Sequence, residues 1–269
     1  MNNFTLHEKD CMEVFPTIPT ASVDLVVTDP PYILSAGSSG HQAGKIGTWA
    51  DMMNAAFWYS SWYSQVFRIL KPTGSFLTFC NWRSLSVVQK ALHDAGMGMA
   101  SLLVWNKKQP GPGGNNGLRP YYELVALSSK ENFKIRNRST GDIWERQWQS
   151  HQGETEHPAE KPVDFVARII QVCELSEGAV VLDPFMGSGT TGVAAMECGV
   201  DFIGIEQDAR WFSVASTRVK AAQAQGARVM VRNLTPHAAD AGASPAQQAL
   251  SMPEVLPTPH GESTPALRR

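Results

Sequence analysis

The chain has 269 residues, of which 43% are hydrophobic and 18% are charged, and its formal net charge is -2. This composition is typical of a soluble globular protein with one sizeable core, and it excludes a protein that binds nucleic acid through overall positive charge. The four cysteines form no Cys-x-x-Cys pair and no segment resembles a signal peptide or a membrane span, so we expect a cytoplasmic protein with reduced thiols and no metal site.

The first informative element is a nearly continuous apolar run at residues 23–28, which predicts a buried parallel strand. It is followed directly by Asp29, Pro30, Pro31 and Tyr32. These residues offer a carboxylate, backbone carbonyls that no neighbouring strand uses, and a flat ring on a backbone stiffened by two prolines. Such groups suit a planar ring that carries an exocyclic amine, and they favour methylation of a nucleic-acid base. The alternative is a turn that only ends the strand.

Strand-like and helix-like patterns alternate along the rest of the chain. Strands are predicted at residues 75–80, 102–105, 124–127, 179–182 and 202–205. Helices are predicted at residues 57–70, 85–92, 165–173 and 190–198, and from Asp208 onward. Loops are predicted at residues 33–48 and 109–117, and a disordered tail at residues 233–269. The alternation favours an α/β fold with a parallel sheet.

The second informative segment runs from a strand through Gly187, Ser188 and Gly189 into a helix. Glycine allows a backbone to approach a ligand closely, and the N–H groups at a helix start stabilise a negative group. Glu206 follows 206 - 187 = 19 residues later, a spacing typical of an acid that binds ribose hydroxyls. The segment therefore predicts a nucleoside-containing cofactor.

Three interpretations of this glycine turn remain open. A dinucleotide is one, although Pro184 and Phe185 crowd a turn that would have to wrap a pyrophosphate. S-adenosylmethionine fits better, because it has one carboxylate, one ammonium group that Asp183 can meet, and a ribose. A tight turn without any ligand is the third.

Together these segments resemble the amino-group DNA methyltransferases. Residues 29–32 look like the catalytic motif of that family, and residues 183–191 look like its cofactor motif. Residues 157–162, His-Pro-Ala-Glu-Lys-Pro, look like the segment that precedes the cofactor strand in one subgroup. The catalytic motif comes first, as in the β subgroup, and the resemblance spans roughly residues 4–225.

The resemblance implies a mostly parallel, seven-stranded Rossmann-like methyltransferase sheet with helices on both faces, within a domain at residues 1–232. Both motifs would meet at the carboxyl ends of neighbouring strands. The implied cofactor is S-adenosylmethionine, bound by Asp10, Asp183, Phe185, Gly187, Ser188, Gly189, Thr190, Thr191 and Glu206. For Asp10 the alternative is a solvated acid or a helix cap. Residues 105–107 and Glu123 also match scattered family positions, where a framework role is favoured.

In the implied mechanism, the Asp29 carboxylate and the Pro30 carbonyl accept hydrogen bonds from the two N–H groups of the target amine, and Tyr32 stacks on a base flipped out of the duplex. Stacking contributes about 1–3 kcal/mol per base, against a flipping cost of a few kcal/mol. Asp at the first catalytic position favours adenine N6, whereas Ser favours cytosine N4, which is the nearest alternative. More distant alternatives are a nicotinamide oxidoreductase and a DNA-binding protein without activity.

Double-stranded DNA is the expected partner, and residues 128–155 are predicted to be a small recognition insert. The candidate DNA-binding residues are Lys130, Lys134, Arg136, Arg138 and Arg146, with Trp144 and Trp148 interleaved. The alternative is a solvated basic hairpin whose tryptophans pack on the core. The resemblance further implies a possible homodimer, association with the nucleoid, and a possible role in restriction–modification.

Overall fold

The computed structural model describes residues 2–31, 49–111, 118–137, 139–147, 155, 157 and 159–234. Several predictions fall outside these residues: Tyr32, Arg138, Trp148, the loop at 33–48, most of the glycine-rich loop and nearly all of the tail. The strands are β1 Phe4–Glu8, β2 Val23–Thr28, β3 Leu70–Cys80, β4 Met99–Asn106, β5 Tyr122–Ser129, β6 Ile143–Glu145, β7 Val180–Asp183 and β8 Asp201–Glu206. The α-helices are α1 Cys11–Val14, α2 Trp49–Ile69, α3 Leu85–Asp94, α4 Val163–Val172, α5 Thr190–Glu197 and α6 Ala209–Leu234.

The eight strands of the described residues form one sheet in the order β1-β8-β7-β2-β3-β5-β4-β6. Every neighbouring pair is parallel except the two that involve β5. Seven strands therefore end at one edge of the sheet, which we call the carboxyl edge, and β5 alone begins there. The opposite edge is called the amino edge. The predicted mostly parallel α/β sheet is confirmed, with eight strands rather than seven.

Side chains of β2 alternate between two cores, one on each face of the sheet. Val26 packs in the core formed with α2 and α3, together with Trp62. Leu25 and Val27 pack in the core formed with α4, α5 and α6, together with Phe165. Because both faces are covered by helices, nearly every position of β2 is apolar, as the sequence predicted.

The predicted strand at 75–80 begins five residues earlier, at Leu70, directly after α2. The pairing of β2 with β3 shifts register between Val23 and Leu25, so the Pro-Thr-Gly segment at 72–74 is accommodated as an irregularity within the strand. Asp24, the one charged residue of β2, accepts hydrogen bonds from Lys71 Nζ and Val180 N, each at 2.8 Å. No helix within the described part of the chain is long and apolar enough to cross a bilayer.

Candidate active site

Asp29 of the first predicted motif and the glycine turn of the second line one cleft at the carboxyl edge. Asp29 follows β2, and the glycine turn follows β7, the strand that pairs with β2. The residues around this cleft include Asp29, Phe79, His157, Lys161, Phe185 and Ser188. The spatial meeting of the motifs, on which the functional prediction depends, is thus present in the fold.

The glycine turn exposes backbone to this cleft. Gly187 and Gly189 both have left-handed conformations, with φ of 51° and 85°, which side-chain-bearing residues rarely adopt. A Cβ atom at position 187 would lie 3.1 Å from Nε2 of His157, and one at position 189 would lie 2.9 Å from Cα of Ala215. The absence of side chains therefore allows the His157 ring to approach the turn at Gly187 and α6 to pack against it at Gly189.

Glu206, at the end of β8, holds the turn against the next helix. Its carboxylate accepts a hydrogen bond from Gly187 N at 2.9 Å and another from Asp208 N at 2.8 Å. The side chain of Asp208 in turn caps α6 by accepting from Arg210 N at 2.9 Å. The acid therefore lies directly beside the glycine turn.

Asp183 is buried, and its carboxylate accepts hydrogen bonds that hold the turn in place. One carboxylate oxygen accepts from the Thr28 hydroxyl at 2.6 Å and from Phe185 N at 3.0 Å, and the other accepts from the Thr191 hydroxyl at 2.7 Å. Burial raises the pKa of Asp183 to about 6, although the hydrogen bonds from Thr28 and Thr191 oppose that rise. These bonds tie β2, β7 and α5 together behind the cleft.

Asp29 belongs to a row of four alternating charges, which we call the charge cluster: Asp29, Lys161, Glu123 and Lys107. Lys161 Nζ donates to Asp29 Oδ2 and lies 3.5 Å from Glu123 Oε2. Lys107 Nζ donates to Glu123 Oε1 at 3.1 Å. The side chains of Lys161 and Lys107 are only 10% and 9% exposed, so each ammonium group is paired with a carboxylate in a largely buried environment.

The charges of this cluster stabilise one another against burial. Burial alone would lower the pKa of Lys161, but Asp29 and Glu123 raise it above its ordinary value. Burial alone would raise the pKa of Glu123, but Lys161 and Lys107 hold it below its ordinary value. Within the described residues, the predicted catalytic carboxylate therefore belongs to a cluster of two carboxylates and two ammonium groups, whose formal charges sum to zero.

The backbone and aromatic neighbours of the cleft are also fixed. The hydroxyl of the buried Tyr59 donates to the Pro31 carbonyl at 3.4 Å, so α2 restrains the backbone of the predicted catalytic segment at Pro31. The ring of Phe185 packs against Trp58 and Trp62, with centroid distances of 5.6 and 5.0 Å. Phe185 thus anchors the strand-to-turn segment to the core through its aromatic ring.

His157, Glu160 and Lys161 of the His-Pro-Ala-Glu-Lys-Pro motif line one side of the cleft. His157 and Glu160 contact Trp211 and Arg218 of α6, two residues for which the sequence suggested no role. Arg218 on α6 pairs with Glu160 at 2.8 Å and donates to the Ser188 carbonyl at 2.8 Å. The ring of His157 packs edge-on against Trp211, with centroids 4.5 Å apart. Burial, aided by Lys161 and Arg218, lowers the pKa of His157 to about 4, so the imidazole is neutral near pH 7. The His-Pro-Ala-Glu-Lys-Pro motif was the available signal for this contact, but nothing marked Arg218.

Asp10 adopts the helix-cap arrangement that was its alternative interpretation. Its carboxylate accepts from Met12 N at 2.7 Å and caps α1. Lys9 N also donates to the Glu206 carbonyl at 3.1 Å, so Asp10 stands at the carboxyl edge beside β8. Both a cap and a cofactor contact are compatible with this location.

The predicted DNA-binding residues are divided between the two edges. Lys130 N donates to the Gly74 carbonyl at 3.0 Å, and Arg136 pairs with Glu174 after α4. Lys130, Lys134 and Arg136 therefore lie at the amino edge. Because β3 runs six residues from Gly74 to Cys80, this region is about 20 Å from the carboxyl edge.

Arg146 follows β6 and is at the carboxyl edge, where its N–H donates to the Asn106 carbonyl at 3.1 Å and its guanidinium pairs with Asp164 at 2.7 Å. The neighbouring Trp144 is buried and packs on Phe165, with centroids 5.6 Å apart. The alternative that a tryptophan of this segment packs on the core is therefore correct for Trp144.

An exposed aromatic residue at the carboxyl edge was not among the candidates. Trp82 follows β3, is 54% exposed, and is covered on one side by the guanidinium of Arg83, 4.7 Å from a ring centroid. The turn is built firmly, since Asn81 Oδ1 accepts from Ser84 N at 2.9 Å. The only signal was an aromatic next to a cation directly after a predicted strand.

Known proteins resemble the chain over most of its length. The profile of a family described as DNA methylase matches residues 23–216, more than half of the sequence. The type II methyltransferase M.HinfI of Haemophilus influenzae is 27% identical over 251 residues, covering 82% of this chain and 70% of that protein. Two solved structures show the same fold. The M1.HpyAVI–SAM complex has a TM-score of 0.63 at 24% identity, covering 80% of this chain and 98% of that one. The cytosine-N4-specific PvuII DNA methyltransferase has a TM-score of 0.68 at 17% identity, covering 86% and 94%.

Proposed function

This chain belongs to the N6/N4 DNA methylase family, and on that premise we propose that it is a DNA methyltransferase that modifies the N6 amine of adenine. The observation that carries the proposal is the cleft shared by Asp29 and the glycine turn. Asp at the first catalytic position favours adenine. Cytosine N4 is the second candidate, supported by the fold similarity to the cytosine-N4-specific PvuII DNA methyltransferase.

The residues of the catalytic segment compensate for the weak nucleophilicity of an exocyclic amine, whose lone pair is delocalised into the ring. Hydrogen bonds from its two protons to the Asp29 carboxylate and the Pro30 carbonyl favour a pyramidal nitrogen with a free lone pair. When bound, S-adenosylmethionine would supply the electrophilic methyl group and would carry away the bonding electron pair on its sulfur as the leaving group. The nitrogen thereby becomes cationic and loses one proton to Asp29. Positioning and fixed charges supply most of the acceleration.

The donor is assigned to the space beside the glycine turn. The backbone of Gly187, Ser188 and Gly189 borders this space, and we assign Glu206 to the ribose hydroxyls, since its carboxylate already accepts from Gly187 N in the turn. Asp183 and Thr191 bond to each other, so we assign them to shaping the turn. Asp10, Phe185 and Thr190 remain predicted cofactor contacts.

We assign the approach of double-stranded DNA to the carboxyl edge, because the target base must reach Asp29. Arg146 is the predicted basic residue on that edge, and the Trp82–Arg83 pair adds a stacking surface with a positive charge. Lys130, Lys134 and Arg136 face the other edge, where phosphate contacts would require DNA to extend around the protein. The predicted homodimer and nucleoid association stay predictions.

Mass analysis of nucleosides tests the proposal. The purified protein is incubated with labelled S-adenosylmethionine and unmethylated genomic DNA, which supplies every short recognition sequence, and the DNA is digested to nucleosides. N6-methyldeoxyadenosine carrying the label supports the proposal, and labelled N4-methyldeoxycytidine establishes the second candidate. DNA that remains unlabelled, under conditions in which the protein retains the donor, contradicts both.

A further inference from the structure

The charge cluster contains more than a single ion pair needs. One cation beside Asp29 would be enough to keep that carboxylate ionised. The structure adds a second carboxylate, Glu123, at 3.5 Å from the same ammonium, and a second cation, Lys107, at 3.1 Å on the far side. The Lys161 ammonium therefore already contacts two alternative acceptors.

Lys107 and Glu123 are carried by two paired strands that are fixed relative to each other. Lys107 directly follows β4 and Glu123 lies in β5, two strands that pair along their length, with Trp105 opposite Glu123. Lys161 is held where its carbonyl accepts from the Thr190 hydroxyl at 3.3 Å, at the start of α5. The ammonium is thus supported by fixed backbone while its flexible side chain reaches both carboxylates.

A fixed Lys161–Asp29 pair would oppose the reaction proposed above. As the methyl group arrives, positive charge forms on the amine nitrogen bound to Asp29. An ammonium group on the same carboxylate repels that charge and weakens Asp29 as a proton acceptor. A neighbouring carboxylate that can share the ammonium reduces this opposition without leaving a buried charge unpaired.

We propose that Lys161 is a positioning residue whose ammonium is shared between Asp29 and Glu123. A shift of this ammonium toward Glu123 makes the electrostatic potential at the Asp29 carboxylate more negative during methyl transfer. The inference rests on the proposed function. Lys107 completes the device by keeping Glu123 ionised. The total charge of the cluster stays at zero wherever the ammonium lies, so the shift needs no ion from solvent.

Other titratable groups face the cluster and set the conditions of a test. They are Asp183, Tyr59 and Cys80 beside Asp29, and His157 beside Lys161. Burial raises the pKa of Cys80 to about 12 and raises that of Tyr59, so both are neutral at moderate pH. Asp183 titrates near pH 6. For this reason the Asp29 carboxyl must be followed directly rather than through an activity profile alone.

The experiment follows the carboxyl carbon of Asp29 by NMR in protein labelled at aspartate, with Asp29→Asn to identify the signal. It compares wild type, Lys161→Met and Glu123→Gln, without DNA. Lys161→Met should raise the titration midpoint of Asp29 by about 1–3 pH units, because the opposite charge is lost. Glu123→Gln should lower it, because a like charge is lost and the ammonium is left to Asp29 alone. Lys108→Met removes an exposed pair with Glu145 and should leave the midpoint unchanged.

Two results overturn the inference. An unchanged midpoint in Lys161→Met shows that the ammonium does not govern Asp29. An equal or raised midpoint in Glu123→Gln shows that Glu123 merely holds Lys161 in place. Glu123→Gln keeps both lysines and nearly the same shape, so it remains informative if Lys161→Met fails to fold. Under the inference it also lowers kcat by more than tenfold at unchanged donor affinity. The NMR result does not depend on methyl transfer, so a failure of the proposed function appears separately, as wild-type protein that leaves DNA unlabelled.

Discussion

Thr191→Val is expected to weaken the folded protein in a way that depends strongly on pH. The substitution removes the hydroxyl that donates to Asp183 at 2.7 Å. A hydrogen bond to a charged group contributes about 1.5–3 kcal/mol, and one between neutral groups about 0.5–1.5 kcal/mol. Because the pKa of Asp183 is about 6, the free energy of unfolding should fall by the larger amount near pH 8 and by the smaller amount near pH 4.5.

The sign follows from the burial of this carboxyl. Its folded-state pKa is about 6, against an ordinary value of 3.8, so ionisation destabilises the fold by about (6 - 3.8) × 1.36 ≈ 3 kcal/mol above pH 6. This penalty disappears as the pH falls below 3.8. Loss of the Thr191 bond raises the folded-state pKa further and enlarges the penalty only where Asp183 is charged.

Urea unfolding at the two pH values, followed by tryptophan fluorescence, measures the effect. Thr217→Val is the matched control, because that hydroxyl donates to the Ser213 carbonyl at an exposed position on α6. It should change the free energy of unfolding by less than about 0.5 kcal/mol at either pH. Equal losses for Thr191→Val at both pH values would refute the account of Asp183 as a buried carboxylate held by donors.

Three further predictions concern the cleft and the DNA surface. Asp29→Ala should abolish methyl transfer to DNA while equilibrium dialysis still shows donor binding; loss of both would indicate a folding or cofactor role. Gly189→Ala and Gly199→Ala both force alanine into a left-handed conformation, at a cost of about 1–2 kcal/mol. Only the added Cβ at position 189 would also lie within 3.0 Å of another residue. Gly189→Ala should therefore lower the melting temperature more than Gly199→Ala, and it alone should reduce donor affinity. Trp82→Ala should weaken DNA binding by about 1–3 kcal/mol in fluorescence anisotropy, whereas Lys134→Ala should have a smaller effect; the reverse order would move the DNA surface to the amino edge.

Much of the fold was predictable because its signals are local. The apolar run of β2 predicted a strand covered on both faces, and Val26 and Val27 do pack in opposite cores. The start of β3 was not predictable, because residues 72–74 have the composition of a turn and become part of a strand only through pairing with β2. The same holds for β6, whose three residues gain their conformation from pairing with β4.

In the candidate site, too, some features were predictable from local sequence and others were not. Asp29 and the glycine turn were identifiable because each stands directly after an apolar strand. The contacts of Asp29 were not: Lys107, Glu123 and Lys161 each fall in a segment that matches the family, but long stretches of sequence separate them and no local pattern brings them together. Their contact depends on the order of strands in the sheet, which local patterns do not determine.

The reversed strand β5 explains both the missed charge cluster and the division of the basic residues. A parallel strand at that place would bring its end, and the basic residues that follow it, to the carboxyl edge. Because β5 is antiparallel to both neighbours, its first residues, including Glu123, lie at the carboxyl edge beside Asp29. Its last residues carry Lys130 and Arg136 to the amino edge. Because of this one change of strand direction, the carboxyl edge has the buried Glu123 carboxylate near the predicted catalytic segment, and the predicted basic residues Lys130 and Arg136 lie at the amino edge.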